Sequence, residues 1–129
     1  MSFRLPPTLH RCSVVDSMEI CPRRYRMLSM TPSEDYTAGE IDKPEMVTVR
    51  RSVDGRVDGT QIHMLSFLGQ TWGMGAPRFT VDQVIGFTKK IRDAGGSVTW
   101  DVPVELDGTI TKPFLDQLAA LGKAFPRKG

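Results

Sequence analysis

The stretch "GGSVTWDVPVELDGTI", residues 95–110, sets a tryptophan and an aspartate side by side ahead of Val102 and Pro103. A carboxylate next to an indole ring belongs either to an ordinary core strand or to the floor of an active site. Asp101 either bonds backbone or an arginine, or meets a ligand. Trp100 either packs or offers a flat apolar surface. Trp72 lies in the glycine-rich stretch "QTWGMGAPR" (70–78), where the same two readings stand. His63 interrupts an apolar run and reads first as structural, and Arg50 and Arg51 read as a solvated pair. Cys12 and Cys21 lie nine positions apart. A zinc site needs more ligands at closer spacing, so the expected state is two uncommitted thiols, with a disulfide as the alternative. No metal and no cofactor is expected.

The bulk numbers narrow the classes. A chain of 129 residues suits one domain. Net charge is +2 from 17 basic and 15 acidic residues, which gives no electrostatic footprint for nucleic acid or an anionic membrane. No apolar run approaches the ~18 residues of a membrane span. The start, "MSFRLPPTLHRCSVVD", has no continuous apolar block and makes a poor signal peptide. Compartment stays open.

The elements that must position these residues begin near residue 34. Residues 1–33 carry five arginines and no sustained period of 2 or 3.6. They read as an irregular arm with at most a short strand or helical turn. "EMVTVRRS" (45–52) is an extended segment, and "VDGRVDG" (53–59) repeats turn chemistry that favours φ > 0. "QIHMLSFLG" (61–69) suits a strand buried on both faces. Thr80 and Gln83 form a capping box for a helix whose apolar residues Val81, Val84, Ile85, Ile91 and Ala94 recur at helical spacing. Gly95 and Gly96 stop it, "SVTWDVPV" is a strand, and "LDGT" (106–109) a turn. Pro113 opens a second helix with Phe114, Leu115, Leu118, Leu121 and Phe125 on its apolar face. The order β, α, β, α implies a parallel sheet with right-handed crossovers. Two such units cannot close a barrel, and the pattern reads as the last part of something larger.

These residues resemble a known family. Residues 61–123 are similar to the C-terminal part of the barrel domain of family 29 glycoside hydrolases, the α-L-fucosidases, and residues 34–60 more loosely so. Better-known members carry Gly-Asn-Leu-Leu-Leu-Asn-Val-Gly-Pro and then Asp-Gly-Thr-Ile. Counting back from "DGTI" (107–110), Gly96 matches the family glycine, Asp101 the asparagine and Val102 the valine, with the proline displaced by one. "TWG" (71–73) resembles the Ser-Trp-Gly-Tyr loop. "EDYTAGE" (34–40) resembles the Asp-Phe-x-Thr-(Pro/Ala)-Glu segment, whose glutamate is the acid/base in several members; here Gly39 adds one residue.

The resemblance implies an α/β fold, a partial (β/α) barrel made of the last units of a TIM-like barrel, with helices outside parallel strands. Residues 1–33 would be the arm and 34–129 the barrel portion. It implies a retaining glycosidase, which needs two carboxyl groups about 5–5.5 Å apart. Glu40 is the implied acid/base, and Trp72, Trp100, Asp101 and His63 are implied substrate-side residues. The family nucleophile is an aspartate on an earlier strand, and no residue here matches it; Asp16, the only aspartate in the arm, lacks that context. The expectation is a fucosidase-like fragment, inactive alone, whose partner is a fucoside. The alternative is a small carbohydrate-binding or partner-completed module without catalysis, and an active hydrolase is the third reading. A bare parallel-sheet edge also implies self-association.

Overall fold

The computed structural model describes residues 13–15, 18–21, 24–49 and 53–127. Cys12, Asp16, Arg50 and Arg51 lie outside the described residues, and Cys21 contributes only the backbone at the end of a strand. The fold is mixed α/β. Its elements in order are β1 (Ser13–Val15), β2 (Met18–Cys21), β3 (Arg24–Met27), a 3-10 turn (Pro44–Met46), β4 (Val47–Thr48), β5 (Arg56–Val57), β6 (Thr60–Gln61), β7 (His63–Phe67), α1 (Val81–Asp93), β8 (Ser97–Asp101) and α2 (Lys112–Ala124).

β7 is the central strand. β8 runs parallel to it in register from His63↔Ser97 to Phe67↔Asp101. On its other edge residues 36–41 run parallel through bridges Tyr36↔Gln61 and Glu40↔Leu65. Backbone bonds Thr37 N–H to Gln61 C=O (2.9 Å), Leu65 N–H to Gly39 C=O (3.0 Å) and Ile41 N–H to Leu65 C=O (2.9 Å) hold that edge. Between the two bridges the 36–41 backbone leaves regular strand geometry, because Gly39 sits at φ +58°. A Cβ there would lie 2.0 Å from the His63 carbonyl oxygen, so only glycine fits. The fully buried Thr37 covers the gap. Its hydroxyl accepts from the His63 N–H (2.9 Å) and donates to the His63 C=O (2.7 Å), standing in for a neighbouring backbone.

The helices cover one face of this parallel unit. In a parallel pair, residues in register share a side. Met64, Ser66, Val98 and Trp100 therefore point one way, and Met64, Val98 and Trp100 pack in the core that includes Ile91 of α1. His63, Leu65, Phe67, Ser97, Thr99 and Asp101 point the other way. α1 forms because Thr80 and Gln83 cap each other reciprocally, and Val84, Thr88 and Ile91 then recur on its buried face. α2 starts with Pro113 in its first turn and buries Phe114. Leu115, expected on its apolar face, is 49% exposed, and Gln117 is buried instead, donating to the Phe79 carbonyl at 2.6 Å. Position 117 lies one turn beyond Phe114, so it falls on the same stripe despite its polarity.

One expectation differs from this architecture. Residues 1–33 are not irregular throughout: β1, β2 and β3 form an antiparallel meander, and β4 pairs with β3 in parallel. Tyr25 and Met27 are buried in one core with Val47, Ile62, Met64 and Ile91, so no domain boundary falls at residue 34. The strands are three or four residues long, too short to show a period. Between residues 36–41 and β7 the 3-10 turn at Pro44–Met46 is the helical element among the described residues, and the turn chemistry of 53–59 is realised. Consecutive Asp-Gly turns, with Asp54 and Asp58 at φ 52° and 51°, fold residues 53–61 into hairpins. The first of these hairpins meets the α1–β8 turn where Gly55 and Gly95 touch; a Cβ on Gly55 would lie 2.4 Å from the Gly95 carbonyl oxygen. Around β7 three parallel tracks run side by side, against the eight that close a barrel.

Replacing Thr37 by valine is expected to lower stability by about 3 kcal/mol, since it strands a donor and an acceptor on β7. Thr37→Ser should cost about 1 kcal/mol. Urea denaturation of both variants checks this, and equal losses would show that the hydroxyl is not what matters.

Candidate functional site

Chemistry on parallel α/β sheets gathers where strands end, because the loops there bring side chains from several strands together. Here those ends are Ile41, Phe67 and Asp101. Asp101 closes β8 on the face away from the helices. Its carboxylate accepts the Gly73 N–H at 2.6 Å and so ties down the loop after β7. That loop turns through paired bonds between Thr71 and Met74 and presents Trp72. Trp72 rests on the Phe67 ring with centroids 4.6 Å apart and keeps 37% of its surface exposed. The arrangement leaves an aromatic face open to solvent on a rigid support.

Glu40 stands in register with Leu65, and Leu65 with Thr99, so all three side chains lie on the uncovered face. Glu40 is exposed. Two strand spacings and two residues of rise separate it from Asp101, about 12 Å at the backbone. Asp101 is moreover turned to the Gly73 amide. These two carboxylates are not arranged as the facing pair of a retaining glycosidase.

The structure also brings Arg78 to the strand ends, a residue to which sequence reasoning gave no role. Its guanidinium donates to the carbonyls of Asp42 (Nη1, 2.5 Å) and Phe67 (Nε, 3.1 Å; Nη2, 3.0 Å). It stacks 3.7 Å from the centroid of Phe67 and 4.3 Å from that of Phe79. Burial pushes its pKa below the usual arginine range, while the charges of Glu45 and Asp42 pull it back up. An arginine in a Gly/Pro-rich loop carries no spacing signal, and the adjacent Phe79 was the one hint available.

His63 lies at the opposite, N-terminal end of β7. Nδ1 is 3.1 Å from the Thr37 carbonyl oxygen and Nε2 is 2.9 Å from the Thr99 hydroxyl. A carbonyl only accepts, so Nδ1 donates to Thr37, and Nε2 shares a hydrogen bond with the Thr99 hydroxyl. Tyr36 meets the ring edge-on at 5.3 Å. Together with Asp35, Gln61 and Ser97 these residues line a cleft of about 390 Å³. His63 is thus remote from these strand ends. Trp100 faces the helices: its Nε1–H donates to Thr88 Oγ1 at 2.9 Å, and the ring packs against both apolar clusters. Of the sequence candidates, Trp72 and Asp101 come together, Glu40 shares their face, and His63 and Trp100 lie elsewhere.

The turn at 106–109 is held from within. Asp107 accepts from the Thr109 hydroxyl (2.7 Å) and N–H (3.0 Å), and those bonds lower its pKa. A groove of about 490 Å³ separates residues 73–77 from Pro103, Val104 and Phe114. Among the described residues no group of three His, Cys, Asp or Glu could hold a metal ion, and no helix is long and apolar enough to cross a membrane. No family model, curated protein or solved structure matches the chain.

With Trp100→Phe as background, Trp72 is the sole indole. Asp101→Asn should weaken a charge-assisted bond and raise acrylamide quenching of Trp72 by about twofold. Unchanged quenching would remove Asp101 from the loop's support. The background substitution itself should cost about 1 kcal/mol through the lost indole–Thr88 bond, read from thermal melts against wild type.

Proposed function

We propose that residues 34–127 contribute one wall of a saccharide site, as the closing part of a fucosidase-like glycosidase barrel. The observation that carries this reading is the convergence of three parallel tracks whose C-terminal ends present Trp72 and Asp101, with Glu40 on the same uncovered face. Substrate sites of α/β barrels lie at that end, and a half-exposed indole packs well on the apolar face of a sugar ring. In this reading Glu40 is the acid/base that protonates the leaving oxygen and then activates water. The nucleophile comes from a strand that these residues do not supply, so the chain alone binds and does not hydrolyse.

One feature favours a related reading, in which a partner completes the sheet. The face opposite the helices is bare at Tyr36 (59% exposed), Ser97 and Thr99, whereas parallel sheets are normally covered on both sides. A second chain laid on that face would serve as the missing wall.

The test is an L-fucose titration followed by Trp72 emission in the Trp100→Phe background. Saturable binding with Kd on the order of 1 mM is expected, abolished by Trp72→Ala and absent with D-glucose. Purified protein should release no nitrophenol from an aryl α-L-fucoside. Release that disappears in Glu40→Gln would instead establish an active hydrolase. No saturation, together with dimers in sedimentation, would favour the partner-completed sheet.

A further inference from the structure

We infer that Arg78 is the positioning residue of this mouth, fixing the strand that carries Glu40 against the loop that carries Trp72; its functional weight rests on the saccharide-site reading above. Arg78 is anchored first by its own backbone, whose N–H donates to the Leu68 carbonyl at 3.0 Å, one residue past the end of β7. Pro77 before it has its own φ fixed by the ring, which stiffens the chain leading into Arg78. From there the side chain reaches across the strand ends. Nη1 takes the carbonyl of Asp42, two residues beyond Glu40, while Nε and Nη2 share that of Phe67. Nη2 also lies 3.3 Å from Ser66 Oγ, and that hydroxyl donates to the Ile41 carbonyl at 2.7 Å. The Glu40 strand is thus tied to β7 at residues 41 and 42, just where its ladder with β7 ends.

The same cation governs the other side. Its guanidinium lies on the Phe67 ring, and that ring also carries Trp72. A planar fork suits this work: its N–H groups meet two carbonyls and a hydroxyl while its face stacks on an aromatic ring. Lysine keeps the charge but offers a point donor without the plane.

Amide hydrogen exchange on ligand-free protein tests the coupling. In Arg78→Lys, exchange is expected to speed up about fivefold in both 37–42 and 69–77, with α1 (81–93) unchanged. No change, a change in one segment alone, or a rise that includes α1 would overturn the inference, the last because a general stabilising role loosens the whole core. Should Arg78→Lys fail to fold, Ser66→Ala removes one guanidinium contact and the Ile41 bond, and the same pattern is required of it. No sugar is present, so a failed fucose titration and a failed coupling are read separately.

Discussion

β7 is hydrogen-bonded along both edges, and Met64 and Ser66 at its centre have no solvent exposure. A buried backbone amide left unpaired costs as much as a lost hydrogen bond, so the neighbours of β7 are not free to wander. On one side β8 meets this demand by regular pairing. On the other, residues 36–41 meet it only with help, since Gly39 swings out of the strand and the Thr37 hydroxyl fills the place of a peptide group. The register so imposed decides which side of the sheet each side chain takes, and Glu40, Phe67 and Asp101 share a face for that reason alone.

The two faces are unequal. One carries the helices and the bulk of the apolar burial, joined by β3 and β4 through Tyr25, Met27 and Val47. The other is lined by His63, Thr99 and Tyr36, groups that bond one another sideways across the strands. Polar side chains bonded laterally across a sheet leave it short of apolar area on that side. The strand ends gain rigidity by a different route, from charge: a carboxylate on a loop amide and a guanidinium on strand-end carbonyls.

Much of this was legible in the residues. The capping box, the glycine stop after α1, the repeated Asp-Gly turns and Pro113 at the start of α2 all follow from local chemistry that needs no partner. β7 and β8 were legible as strands, and their parallel pairing followed from the helix between them. What escaped was non-local. Three short N-terminal strands acquire meaning only through pairing, and Gln117 is buried because the Phe79 carbonyl happens to need a donor. Trp100 and Asp101 are adjacent in sequence yet lie on opposite faces, since a strand alternates. The order of letters hinted at a shared role, and the pleat separates them. Arg78 could not be singled out because the carbonyls it bonds are main-chain atoms, which every sequence has, and Ser66 and Phe67 lie eleven or twelve residues away.

The touch between Gly55 and Gly95 carries a consequence for how this chain can vary. Neither position tolerates a side chain, because each is occupied by the other's backbone. The hairpin before β7 and the turn ending α1 are therefore a single inherited unit. Lengthening either by one residue pushes directly on the other, so drift in the two stretches must be concerted.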